Sequence, residues 1–120
     1  MSPVAVLIPV PDVSAALDWY RLALPDARLL RFDGDAPAIL DLNGFSIELV
    51  PSDEKVSHGK CGTVLYWSVA NIDAVIKRLQ SMGATLYRGP LPIENNLSMC
   101  QLEDPFGNLI GFRGPAGHFE

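Results

Sequence analysis

The chain is short of the residues from which most protein chemistry starts. Among 120 residues there are two histidines, His58 and His118, and two cysteines, Cys61 and Cys100. Cysteines this few and this isolated exclude a disulfide framework and a zinc cluster, and predict two reduced, mostly packed thiols. Basic residues are also scarce: nine Lys and Arg against fourteen Asp and Glu leave a net charge of −5. Without a basic run to neutralise phosphates, nucleic acid is not an expected partner. No apolar stretch reaches the length of a membrane-spanning helix, and the N-terminus lacks the basic, apolar, small-residue order of a secretory signal. The expected location is therefore cytoplasmic, with no membrane partner.

What is present is enough for a core. The chain is 48% hydrophobic, and its length predicts one domain. Val4 to Val10 is rich in β-branched residues and reads as a buried strand, with Asp12 as the N-cap of a helix that carries Val13, Ala16, Leu17, Tyr20 and Leu24 at helical spacing and stops at Pro25. Trp19 falls off that stripe, which suits partial burial, a subunit contact or the rim of a pocket. Strand patterns follow at 28–32, 37–42 and 45–50, the last two joined by Asn43-Gly44, a strong hairpin signal. Residues 51–60 are a polar connector.

The second half repeats the order. A strand is predicted over 63–69, Asn71 caps a helix with Ile72, Val75, Ile76 and Leu79 on one face, and Gly83 stands at its exit. Strands are expected at 85–88, 97–103 and 109–113, with a loop over 89–96 between the first two. Asp104-Pro105-Phe106-Gly107-Asn108 joins the last pair as a turn. The halves align at an offset of 59, Val10 with Val69 and Asp12 with Asn71, and past an insertion Ile47-Glu48-Leu49 matches Ile110-Gly111-Phe112. The expected fold class is α+β: two tandem βαβββ modules, 1–58 and 61–115, within a single domain 1–120, forming a curved mixed sheet around a concave cleft. Such a cleft is the default ligand site.

These features, with Ile8-Pro9-Val10-Pro11-Asp12-Val13, Trp19-Tyr20, Gly83-Ala84 and the Asp104 to Asn108 turn, resemble the vicinal oxygen chelate superfamily, which includes glyoxalase I, extradiol dioxygenases and bleomycin-resistance proteins. The resemblance spans nearly the whole chain. It implies the fold strongly and the function weakly, because that fold hosts metal-dependent enzymes beside proteins that bind and sequester drugs.

The resemblance also implies four metal-ligand positions, usually His, Gln or Glu. They fall here on Ala5, Glu48, Val64 and Gly111. One carboxylate among Ala, Val and Gly cannot hold a divalent ion, so no metal and no other cofactor is expected. Strand alternation places Leu7 and Pro9 beside Ala5, Ser46 beside Glu48, Tyr66 and Ser68 beside Val64, and Leu109 and Arg113 beside Gly111. The family's register adds Met99 and Gln101. His58 and His118 read as surface residues.

The expected ligand-binding set is thus Leu7, Glu48, Val64, Tyr66, Ser68, Met99, Gln101, Gly111 and Arg113. Glu48 either pairs with a cation such as Arg113 or meets a cationic or hydrogen-bonding ligand. Tyr66 either hydrogen-bonds Glu48 or stacks on a planar ligand, and Trp67 falls on the opposite face. The loop with Glu94, Asn95 and Asn96 is a candidate lid. Two functions follow. One is a metal-free binding protein that sequesters an antibiotic or a planar or cationic metabolite. The other is a glyoxalase-like lyase or dioxygenase-type enzyme, metal-dependent or using Glu48 as general base with Tyr66 or Arg113 stabilising charge. The missing ligands favour the first, with a small organic molecule as partner and no catalytic residue. Family habit and uncovered sheet edges imply a homodimer.

Overall fold

The structure is a computed structural model that describes residues 1–116; the His118 reading lies outside the described residues. The chain divides into two compact units at His58/Gly59. The first runs β1 (Ala5–Val10), α1 (Val13–Ala23), β2 (Arg28–Arg31), β3 (Ala38–Leu42) and β4 (Phe45–Pro51). Its four-stranded sheet has the order β1-β4-β3-β2, with β1 parallel to β4 and the other pairs antiparallel.

Local chemistry explains these elements. The Asp12 carboxylate accepts the Ala15 amide at 3.1 Å and starts α1, a cap worth about 1 kcal/mol. Asn43 and Gly44 both take positive φ, 53° and 90°, as the two-residue hairpin between β3 and β4 requires. α1 packs on β3 and β4, where Ala38, Leu40, Ile47 and Leu49 are fully buried, as is Val10 of β1. Trp19 is a correction to the rim and subunit readings: it is 8% exposed, with its ring edge-on to Tyr20 at 4.9 Å. In β2 the pairing slips between Leu29 and Arg31, so Leu30 is an extra residue that bulges outward and is exposed.

The second unit runs β5 (Tyr66–Ser68), α2 (Ile72–Ser81), β6 (Thr85–Pro92), β7 (Ser98–Glu103) and β8 (Leu109–Gly114), with a one-turn 3₁₀ helix at Glu94–Asn96. Its sheet has the same order, β5-β8-β7-β6, with β5 parallel to β8. Asn71 caps α2 by accepting the Ala74 amide at 3.0 Å. Ile72, Val75, Ile76 and Leu79 of the helix are buried, as are Cys100, Leu102, Ile110 and Phe112 of the sheet beneath it.

Two strand expectations are corrected. β5 is three residues long rather than spanning 63–69, so Val64 precedes the ladder. β6 continues through Pro92 although Gly89-Pro90 reads as a break. Gly89 takes φ +86°, and a Cβ there would lie 2.5 Å from the Met99 carbonyl oxygen. It is a bulge glycine on an edge strand, where a proline without an N–H is tolerated.

The thiols divide. Cys100 is buried and Cys61 is exposed, which corrects the packed reading for Cys61. Burial pushes the Cys100 thiol from 9.0 up to about 11; the Phe112 backbone hydrogen bond opposes this, and the Asp73 charge adds to it. The fold therefore favours the protonated thiol. That stabilisation is complete below the unfolded value of 9.0 and fades as pH rises towards about 11. At about pH 8, where exposed thiols are partly ionised, iodoacetamide should label native protein at Cys61 alone, and Cys100 only after unfolding. Mass spectrometry showing equal labelling of both in the native state would contradict this placement.

Candidate functional site

Each sheet has one face under its helix and one free of it. In the first unit the register places Leu7 opposite Glu48 and Glu48 opposite Ile39, while Ala5, Ser46, Asp41 and Arg28 form the neighbouring row. The partners of the buried core residues lie on the helix side, so these two rows share the helix-free face. Ser46 donates its hydroxyl to Glu48 Oε2 at 3.0 Å. Arg28 reaches Asp41 at 3.5 Å across the sheet, an exposed pair of small energetic weight. Leu7 is 53% exposed.

In the second unit the corresponding rows are Tyr66, Gly111, Gln101 and Arg88, then Ser68, Arg113, Met99 and Leu91. The sequence reading thus placed Tyr66, Ser68, Met99, Gln101, Gly111 and Arg113 on a face that they do share. It did not bring Tyr66 and Gly111 into contact. The Tyr66 ring lies against Gly111, so that a Cβ built there would sit 2.7 Å from two ring carbons. Gln101 donates its Nε2–H to the Tyr66 hydroxyl oxygen at 2.7 Å. The Arg113 guanidinium sits over the ring, 4.8 Å from its centroid, a cation–π contact worth about 0.5–1 kcal/mol when exposed.

Tyr66 is therefore satisfied by an amide and a guanidinium, and Gly111 is the space its ring fills. The offset of 59 that pairs Leu7 with Tyr66, combined with the match of Glu48 to Gly111, was the signal that could have shown this: β1 and β4 set Leu7 against Glu48 as β5 and β8 set Tyr66 against Gly111. Arg88 was missed because β6 slips register on either side of it.

The four positions that the resemblance implied for a metal do not fit one. Ala5, Val64 and Gly111 bring no donor atom, and the room a longer side chain at 111 would need is taken by Tyr66. Among the described residues no three His, Cys, Asp or Glu side chains come together as a ligand set. His58 is exposed, with Nδ1 3.0 Å from the Ser52 hydroxyl.

The Asp104 turn, the most motif-like stretch of the sequence, serves structure. Asp104 is 3% exposed, and its Oδ1 accepts the amides of Phe106 and Asn108, each at 2.9 Å. Asn108 Oδ1 in turn accepts the Gly59 amide at 2.8 Å, and Lys60 meets Glu103 at 3.5 Å. The turn thus clips the start of the second unit to its last hairpin. At the other end of that hairpin, a hollow of about 550 Å³ is lined by Pro92, Ile93, Leu97 and Pro115, with Asn96 and Ser98 as its polar groups. The candidate lid residue Asn96 forms part of this wall, with φ +59°.

A family model described as Glyoxalase/Bleomycin resistance protein/Dioxygenase superfamily matches residues 2–112. No curated protein sequence matches significantly. Among solved structures, protein ATC0852 from Agrobacterium tumefaciens superposes with a TM-score of 0.80 at 18% identity, over 98% of this chain and 99% of that one. A glyoxalase/bleomycin resistance protein/dioxygenase family enzyme from Burkholderia phytofirmans PsJN gives 0.77 at 17% identity, over 92% and 95%. TnmS3, an antibiotic binding protein from Streptomyces sp. CB03234, gives 0.73 at 25% identity, over 97% and 98%.

Proposed function

We propose that this chain, which belongs to the glyoxalase/bleomycin resistance protein/dioxygenase superfamily, binds a small planar organic molecule without a metal and holds it rather than converting it. The observation that carries this reading is the Tyr66 ring lying in the space of a Gly111 side chain. A position that would supply a metal ligand in a catalytic relative is given over to a fixed aromatic group. The ring is held by Gln101 and Arg113, so little side-chain freedom is lost when a ligand arrives. Around it the second sheet offers Met99 and Leu91 as apolar surface and Ser68 as a hydroxyl. The similarity to TnmS3, described as an antibiotic binding protein, makes antibiotics the first class to try.

Thermal-shift titration tests the reading. A planar ligand at about 100 times its Kd should stabilise the protein by about 2.7 kcal/mol, whereas Ni²⁺, Zn²⁺, Fe²⁺ and a chelator should leave Tm unchanged. The ligand should be recovered intact after prolonged incubation. Stoichiometric stabilisation by one of these metals, or turnover of the bound molecule, would replace this reading with an enzymatic one.

A further inference from the structure

The hydrogen-bonding sense of the Tyr66 cluster sets the polarity of what it can receive. A phenol offers one O–H donor and lone pairs that accept. Here the oxygen already accepts from Gln101 Nε2 at 2.7 Å, so its proton is directed elsewhere. The Arg113 guanidinium carbon lies 4.8 Å from the ring centroid, and its N–H groups can only donate. Arg88 lies in the same row as Gln101, Gly111 and Tyr66, and both arginines are exposed.

The acids of this unit do not neutralise them. Glu103 is engaged by Lys60 at 3.5 Å, Asp104 accepts two amides within its turn, and among the described residues of the unit no carboxylate forms an ion pair with Arg88 or Arg113. A chain of net charge −5 thus carries one sheet face on which donors and positive charge collect around an aromatic ring. Charge complementarity names the occupant.

We propose that this face, formed by Tyr66, Gln101, Arg113 and Arg88, selects a planar aromatic oxyanion, with Arg113 and the Tyr66 hydroxyl donating to the charged oxygen atoms. The inference rests on the small-molecule reading above and adds the sign of the ligand. A guanidinium edge presents paired donors to a carboxylate, and a guanidinium plane is also a surface on which the planar body of the ligand can stack. Arg88 attracts the anion through its charge, so binding should weaken with added salt.

The test uses a matched pair of probes, 2-naphthoate and 2-naphthylmethylammonium, titrated into the full chain and followed by protein NMR. Naphthoate should bind at least about tenfold more tightly than the amine, with the shifted resonances centred on Tyr66, Gln101 and Arg113. Gln101→Glu turns a donor into an anionic acceptor that captures the Tyr66 proton; it should lower naphthoate affinity at least about tenfold and remove the preference. Tyr66→Phe keeps the ring and deletes only the hydroxyl donor, so it should weaken naphthoate alone and protects the test against a misfolded Gln101→Glu protein. Equal binding of the two probes, or tighter binding of the amine, overturns the oxyanion proposal and leaves the small-molecule reading standing. If neither probe nor any planar neutral compound binds at about 1 mM, a weak limit for ligands of this size, both are overturned.

Discussion

Gly111→Ala is expected to destabilise the protein by about 2 kcal/mol in urea unfolding, the usual cost of forcing atoms into a filled site. The added methyl would lie 2.7 Å from two carbons of the Tyr66 ring, so the ring must leave the sheet and with it the contacts to Gln101 and Arg113. The same substitution in a Tyr66→Ala background should do the reverse. With the ring gone, alanine in a strand interior is favoured over glycine by about 0.5 kcal/mol, so the sign of the effect changes. A coupling energy of about 2 kcal/mol or more between the two positions is the expected result of the double-mutant cycle. A neutral Gly111→Ala in the otherwise unchanged chain would show that the ring does not rest there.

Asp104→Ala should cost more, about 3 kcal/mol. The buried carboxylate accepts the Phe106 and Asn108 amides, each at 2.9 Å, and its removal deletes both of these hydrogen bonds in a buried turn, each loss costing about 1–3 kcal/mol. Asp104→Asn retains a side-chain oxygen at the same place and should cost about 1 kcal/mol. Ligand affinity extrapolated to fully folded protein should be the same in all three forms, because the turn supplies no group to the Tyr66 face. A large stability loss in Asp104→Asn equal to that in Asp104→Ala would mean that charge, rather than acceptor geometry, holds the turn.

The elements that depend on their own neighbours in sequence were legible. Asp12 and Asn71 cap the two helices, Asn43-Gly44 turns the hairpin, and the repeat offset carries the order of one unit onto the other. Alternation put Tyr66 and Arg113 on the helix-free face, and the register implied by the family resemblance added Gln101 beside them.

What failed to show depends on partners across the sheet. Residues 63–65 have strand composition but precede the ladder, which no local propensity reveals. Gly89-Pro90 looks like a break, and only the paired β7 shows that the strand resumes beyond the bulge. Trp19 lies outside a narrow apolar stripe, and a helix can bury a wider arc than that stripe marks. The Tyr66 ring against Gly111 is the most instructive case. A glycine in a final strand reads as a defect or as extra room until the residue opposite it is known.

That pairing also makes a different arrangement at these two positions hard to reach. Any step that places an acid at position 111 meets the ring of Tyr66, and any step that first removes the ring leaves an unfilled groove over a glycine and a Gln101 amide without its phenol. Both single steps lower stability, so a lineage carrying this arrangement reaches a metal-binding descendant only through a weakened intermediate. The double-mutant cycle at positions 66 and 111 measures the depth of that valley.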